Sequence, residues 1–194
     1  MKIPLFPLNV VLFPEGEIKL RIFEPRYLDM VSNCLKNDSG FGICLLQEEV
    51  SGENSIDFFL MGSYAKIINW DRMDDGLLGI VVKGEKRFRV NSYSRAKDKL
   101  CIGDVDWLSD DEAQIPDSYQ NFSDLLKEIV TRYKLPIANT STRYDEANWV
   151  SERLAELLPF DLFAKQEILE MNNAINRFDY MQDLLKKIDT DKII

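Results

Sequence analysis

Histidine is absent from the 194 residues. That absence removes Ser-His-Asp and Cys-His catalysis, imidazole-ligated metals and the usual general base near neutral pH. Cysteine is scarce: Cys34, Cys44 and Cys101 form an odd set without Cys-x-x-Cys spacing. Such a set argues against a disulfide framework and a structural zinc site, and it fits a reducing cytosol. No run approaches the roughly 20 apolar residues of a membrane-spanning helix. The apolar stretch Ile3 to Phe13 holds Pro4 and Pro7, follows a single lysine and lacks the small-residue cleavage site of a signal peptide. A cytoplasmic protein without membrane association is therefore expected. Neither a G-x-x-x-x-G-K-[ST] phosphate loop nor a G-x-G-x-x-G fingerprint occurs. Positive charge is also short, with 24 Lys+Arg against 33 Asp+Glu and a formal charge of −9. A general nucleic-acid binder would need a basic face to displace phosphate counterions, so nucleic acid is a disfavoured partner.

The charge that is present is unevenly spread. Residues 1–108 carry 14 basic against 16 acidic side chains, whereas residues 109–194 carry 10 against 17. The hydrophobic period changes at the same place. Up to about residue 108 the pattern is that of strands. "KIPLFPLNVVLFP" is punctuated by prolines in a way that suits edge strands and turns, and "EIKLRIF" alternates as a half-buried strand does. Pro25 then opens a helix that runs to about Lys36, with proline in the first turn, where a missing N–H costs nothing. "FGICLLQEE", "DFFLMGSYAKIINW", "LLGIVVKGEKRFRV" and "CIGDVDWL" read as further strands, with Gly62, Gly79, Gly84 and Gly103 as places to bend. Five or six strands with one inserted helix predict a compact curled β-barrel. Residues 109–118 read as an acidic linker. Beyond it the 3.6-residue period of Tyr119, Phe122, Leu125, Leu126, Ile129, Val130 and Tyr133, of Ala147, Val150, Leu154, Leu157 and Leu158, of "DLFAKQEILEM" and of Ile175, Phe178, Met181, Leu184, Leu185 and Ile188 predicts a helical bundle over 119–194. The fold class expected is α+β, with a β subdomain over 1–108.

Several short matches carry chemistry in other contexts. Ser94-Arg95-Ala96-Lys97 fits S-x-x-K, but that pair must lie one turn apart on a helix, and here it falls in a polar turn between strands. The carboxylate pairs Glu48-Glu49, Asp74-Asp75 and Asp110-Asp111 sit in polar turns or the linker, where solvation accounts for them. "GEKRFRV" offers Arg87, Phe88 and Arg89, to which Arg21 and Tyr93 are added as further candidates, as a basic-aromatic surface for RNA or a nucleotide. The structural alternative is a period-two strand that sends Phe88 and Val90 to the core and Arg87 and Arg89 outward. Glu24 and Arg26 flank Pro25 where a strand turns into a helix. An adjacent arginine keeps the glutamate charged, which suits a hinge-fixing ion pair better than a general acid.

Read in order, "IPLFPLNVVLFPEG" (3–16), "LRIFEPRYLDMV" (20–31), "FGICLL" (41–46), "MGSYAKI" (61–67), "VKGEKRFRV" (82–90) and "LAELLPFDLFAKQEILEM" (154–171) resemble the Lon protease N-terminal, substrate-binding domain family. The resemblance implies a PUA-like β-barrel followed by a helical bundle. It also implies recognition of unfolded or flagged polypeptides, no cofactor and no catalytic residue. The chain is similar to stand-alone bacterial members without the ATPase and Ser-Lys protease modules, so an adaptor role beside a Lon-type protease is expected. Self-association through the bundle is a further expectation. Peptide binding needs uncovered apolar groups, for which Leu8, Phe13 and Pro14 in the N-terminal ribbon and Phe58 and Phe59 in the central strand are the candidates. The PUA-like alternative, RNA or nucleotide binding, would use Arg21, Arg87, Phe88 and Arg89.

Overall fold

The computed structural model describes residues 1–47, 58–109, 112–135 and 143–191. The chain divides into two compact units, Met1–Ser109 and Asp110–Ile194. In the first unit the elements are β1 (Lys2–Leu8), β2 (Glu17–Ile22), α1 (Pro25–Lys36), β3 (Phe41–Leu46), β4 (Phe58–Arg72), β5 (Leu78–Arg95) and β6 (Cys101–Trp107). They form one six-stranded mixed sheet in the order β2-β5-β4-β3-β1-β6, with β6 pairing a second time on β5. Among the described strands only β1 and β3 run parallel. The roll closes over part of its height. β5 gives Leu78–Lys83 to β2 and Phe88–Arg95 to β6, while β3 follows β4 no further than Ala65. The outer side of β2 and the C-terminal half of β4 stay as sheet edges, so the expected barrel is a rolled, incompletely closed sheet.

The prolines of β1 suggested an edge strand, and the structure corrects this: β1 lies between β3 and β6. Lys2–Leu5 pair with β6 and Leu5–Leu8 pair with β3. Each half of β1 thus has one partner, so Pro4 and Pro7 each have an open side on which a missing N–H loses no ladder bond. The parallel β1–β3 pair requires a crossover, and α1 lies within it. Pro25 occupies the first turn, and Tyr27, Met30, Val31 and Cys34 recur at helical spacing on one buried face. That face packs on Phe6, Leu12, Ile22, Phe41, Ile43, Ala65, Ile80 and Val82. A second cluster of Ile3, Leu5, Cys44, Phe58, Tyr64, Phe88, Val90, Cys101 and Val105 fills the rest of the interior. Each large apolar side chain so buried contributes about 1.5–3 kcal/mol before chain entropy is counted.

Between its two partners β5 needs a residue without a side chain. Gly84 donates to the Gly16 carbonyl at 2.9 Å and accepts from the Glu15 N–H at 2.7 Å. A Cβ there would lie 2.3 Å from the Phe13 carbonyl oxygen. At Gly79 the added atom would meet the flexible Met73 side chain, at 3.1 Å. Gly84→Ala is therefore expected to lower stability by about 1–3 kcal/mol, and Gly79→Ala by much less. Urea melts of the two variants check the difference.

The second unit holds α2 (Gln120–Tyr133), α3 (Ala147–Leu157), α4 (Leu162–Glu170) and α5 (Ala174–Asp191), with a short 3₁₀ turn over Asp117–Tyr119. Asp161 caps α4 through the Ala164 N–H at 2.8 Å. Part of the segment read as linker is held in this unit: Ile115 N–H donates to Asp145 and Ala147 N–H to Ala113, both at 2.8 Å. Its core stacks Phe122 on Phe178, ring centres 4.9 Å apart. Arg177 is wholly buried beside them. It reaches Glu152 at 3.2 Å and the Met171 carbonyl at 2.8 Å, so both its charge and its N–H groups are answered. Arg177→Leu removes a buried ion pair with Glu152 and the donors to the Met171 carbonyl, and is expected to cost about 3–5 kcal/mol. The double variant with Glu152→Leu recovers part of that loss, as thermal melts of the two proteins measure.

Candidate functional site

The first unit contains a cavity of about 350 Å³, formed where β1, β2 and β3 end and β6 begins. Phe6, Pro7 and Leu8 come from the end of β1, and Ile22 and Phe23 from the exit of β2. Leu46 is the last residue of β3, Phe58 the first of β4, and Cys101 the first of β6. Apolar groups make its floor. Phe6 stacks on Tyr27 with ring centres 3.9 Å apart, and Phe58 meets Tyr93 edge-on at 5.1 Å. Phe23 is 66% exposed and Leu46 41%, so the rim also keeps apolar surface in water. Burial raises the Tyr27 phenol above its usual range, with Arg26 pulling the other way.

Among the described residues, four cations, Arg21, Arg26, Arg95 and Lys99, line the same cavity with one carboxylate, Glu24. Glu24 and Arg26 do form an ion pair, at 2.6 Å across Pro25. Arg26 also donates to the Lys99 carbonyl at 3.4 Å and lies over the Tyr27 ring, 4.8 Å from its centre. Three contacts thus fix this guanidinium, and they tie the strand-to-helix corner to the β5–β6 turn. Arg21 pairs with Asp75, whose other oxygen accepts the Leu77 N–H. Asp75 is thus engaged in turn structure. Ser94 and Arg95 end β5, and Ala96 and Lys99 close a turn through Lys99 N–H to the Ala96 carbonyl. The S-x-x-K match does not lie on a helix. Among the described residues no group of three or more acidic or cysteine side chains is placed to hold a metal. Glu48-Glu49 and Asp110-Asp111 lie outside the described residues.

The cavity unites Leu8, Phe58, Arg21, Glu24 and Arg26, which the sequence offered for three different roles. It leaves out the others. Phe13 is 1% exposed and belongs to the core, while Pro14 and Phe59 are half-buried away from the cavity lining. Phe88 is in the core as the strand alternation predicts, and Arg89 faces out. Arg87 corrects the alternation, because it is 1% exposed. It stands across the strands from Ser63, whose hydroxyl bonds the Leu12 carbonyl. The segment before β2 therefore lies over this outer face of β5 and covers it. An RNA surface built on Arg87 and Phe88 has no access to solvent at either residue. Phe23, Tyr27, Arg95 and Lys99 were missed as site residues. Phe23 and Tyr27 sit in the same "IFEPRY" stretch that carries the hinge, which was the available signal. Nothing in the sequence joins Arg95 and Lys99 to it.

A rolled mixed sheet with a crossover helix and an apolar recess at one end, with a second unit of helices, is an α+β architecture. The chain belongs to the ATP-dependent protease La (LON) substrate-binding domain family, whose model matches residues 2–187. Its structure is similar to a Lon N-terminal domain protein from Xanthomonas campestris, with TM-score 0.79, 30% identity and coverage of 94% of this chain and 98% of that one. The fold is also that of the N-terminal domain of Mycobacterium avium complex Lon protease, with TM-score 0.68, 16% identity and coverage of 94% and 99%. Among curated proteins, the Lon protease of Buchnera aphidicola subsp. Schizaphis graminum is 24% identical over 100% of this chain and 26% of its own length. That of Cytophaga hutchinsonii is 23% identical over 95% of this chain and 24% of its own length. The chain thus spans about a quarter of these proteases.

Cysteine accessibility follows from the same geometry. Burial pushes the Cys34 and Cys44 thiols up, away from the reactive thiolate. Cys101, 8% exposed, lines the cavity. Alkylation of the native protein, mapped by mass spectrometry, is expected at Cys101 first and at Cys34 and Cys44 only on unfolding.

Proposed function

We propose that this chain is a non-catalytic polypeptide-recognition module that takes extended segments of unfolded or flagged proteins into the recess. An adaptor role in protein quality control, with a Lon-type protease receiving what is bound, is part of the same reading. One observation carries it: apolar side chains from β1, β3 and the β2–α1 corner converge on a cavity whose rim keeps Phe23 and Leu46 exposed. Surface of this kind is retained where a ligand covers it. The lining of ion pairs and apolar groups supports holding a chain. Membership of a substrate-binding family over 2–187 points the same way. Leu8 and Phe58 are the sequence candidates that the reading retains in the recess, with Pro14 and Phe59 as surface beyond it.

The RNA alternative keeps Arg21 and Arg89 of its four residues, since Arg87 and Phe88 are interior. That loss is why we place it second.

Binding of a fluorescently labelled, permanently unfolded chain such as casein is expected at micromolar Kd. Leu8→Ser and Phe23→Ser each weaken it by about 5- to 30-fold, the range for losing about 1–2 kcal/mol of apolar contact. Circular dichroism should stay unchanged for both. Absence of binding by the intact protein at 100-fold higher concentration rejects the reading.

A further inference from the structure

We infer that Asn69 and Asp71 close the free edge of β4 against strand pairing with a second copy of this chain. The edge begins beyond Ala65, where β3 ends; among the described residues no strand pairs with 66–72 on that side. Residues 68–76 are all exposed, with Ile68 at 49% and Trp70 at 60%. Leu46 and Phe58, which bracket residues 48–57, pair at the opposite end of β4. An exposed strand edge that carries large apolar side chains invites another chain to add to it.

Which backbone groups this edge presents follows from the hairpin that joins β4 to β5. The Gly76 N–H donates to the Met73 carbonyl at 2.8 Å, and the Met73 N–H donates to the Leu77 carbonyl at 2.9 Å. Met73 and Leu77 are thus a hydrogen-bonded pair, and bonded and non-bonded pairs alternate along an antiparallel ladder. Asp71 with Gly79 and Asn69 with Val81 are then bonded pairs, whereas Arg72 with Leu78 and Trp70 with Ile80 are not. The N–H and C=O groups of Trp70 and Arg72 therefore turn away from β5, to the open side. Both donors there are already occupied. The Trp70 N–H donates to Asn69 Oδ1 at 2.8 Å and the Arg72 N–H to Asp71 Oδ1 at 2.7 Å. Each side chain caps the donor that follows it, a local bond that competes directly with a sheet ladder.

The occupant kept out is a second copy, because the edge is complementary to itself. Turned antiparallel about a two-fold axis at Trp70, two such edges set Trp70 on Trp70, Ile68 opposite Arg72 and Asn69 opposite Asp71. No like charges stand opposite one another in that register, and the aromatic and amide–carboxylate pairs are favourable. The groups such a ladder would bond are those of Trp70 and Arg72, the outward pair. Forming it requires both copies to release both caps, and that requirement holds the edges apart.

Sedimentation velocity at about 100 µM compares the full chain with Asn69→Val/Asp71→Val, circular dichroism confirming that both are folded. Valine suits a strand and offers no acceptor, so the double variant is expected to self-associate at least about tenfold more tightly than the wild type. Adding Arg72→Pro removes an outward donor without touching the β5 ladder and is expected to restore wild-type sedimentation. Asp71→Asn separates capping from charge: it keeps the acceptor oxygen, loses the negative charge and is expected to sediment as the wild type does. Unchanged sedimentation of the folded double variant overturns the inference. Association that Arg72→Pro leaves intact overturns it too, because the contact then lies elsewhere. Association of Asp71→Asn as strong as that of the double variant makes charge repulsion the guard and overturns capping. Should the double variant fail to fold, Asp71→Val alone, which frees the Arg72 N–H, is read by the same outcomes.

Discussion

The first unit depends on one strand that must serve three partners. β5 runs for 18 residues, longer than any other strand here, and is hydrogen-bonded to β4 along most of its length. Its other side is given to β2 and then to β6, with Gly84 between the two. A strand of that length cannot stay straight inside a compact domain, because strand twist accumulates along it. The bulges between Tyr64 and Ala65 and between Ile67 and Asn69 add local bends. The consequence is functional. Leu78 at one end of β5 pairs with Ile22, Arg95 at the other end pairs with Cys101, and Ile22, Arg95 and Cys101 line a single cavity. Coiling of β5 makes the recess.

Much of the architecture was legible because local physics and the final fold agree. Pro25 can start a helix and Tyr27, Met30, Val31 and Cys34 can bury one face of it, whatever lies beneath. Asp161 is a good cap on the same local grounds. The failures share a cause, which is that they concern what lies across an element. Proline in β1 reads as edge because the usual strand interior has partners on both sides of each residue. β1 escapes the rule by dividing its length between β3 and β6. Arg87 reads as outward because its neighbours Phe88 and Val90 point in, and alternation says nothing about the segment at Leu12, far earlier in the chain, that covers the outer face. A curled barrel was expected, and where its sheet stays open is set by the unequal lengths of β3 and β4, which no count of strands reveals.

The candidate site was legible in pieces and not as a whole. Leu8, Phe58, Arg21, Glu24 and Arg26 were each singled out, for three different reasons, without any sign that they share a cavity. Residues 8 and 58 belong to strands that are not paired with one another, and their proximity depends on the roll. The Glu24–Arg26 pair illustrates how a hinge and a site can be the same atoms. The ion pair and the Lys99 contact hold the corner in place. An exposed pair of this kind adds little to stability, on the order of 0–1 kcal/mol. Its larger effect is positional: it stations a cation at the cavity rim.

That division separates what stabilises the unit from what it presents. The two clusters around α1 and around Phe88 bury the residues that hold the sheet together. Phe23, one residue after β2 and two before the proline, could have been any polar residue without loss to either cluster, since most of it lies in water. An aromatic ring left there contributes little to folding and offers surface to an edge strand's worth of trouble by aggregation. Phe23 and Leu46 stand at the rim of the recess and in neither cluster, so what the unit presents is set apart in the chain from what holds it together.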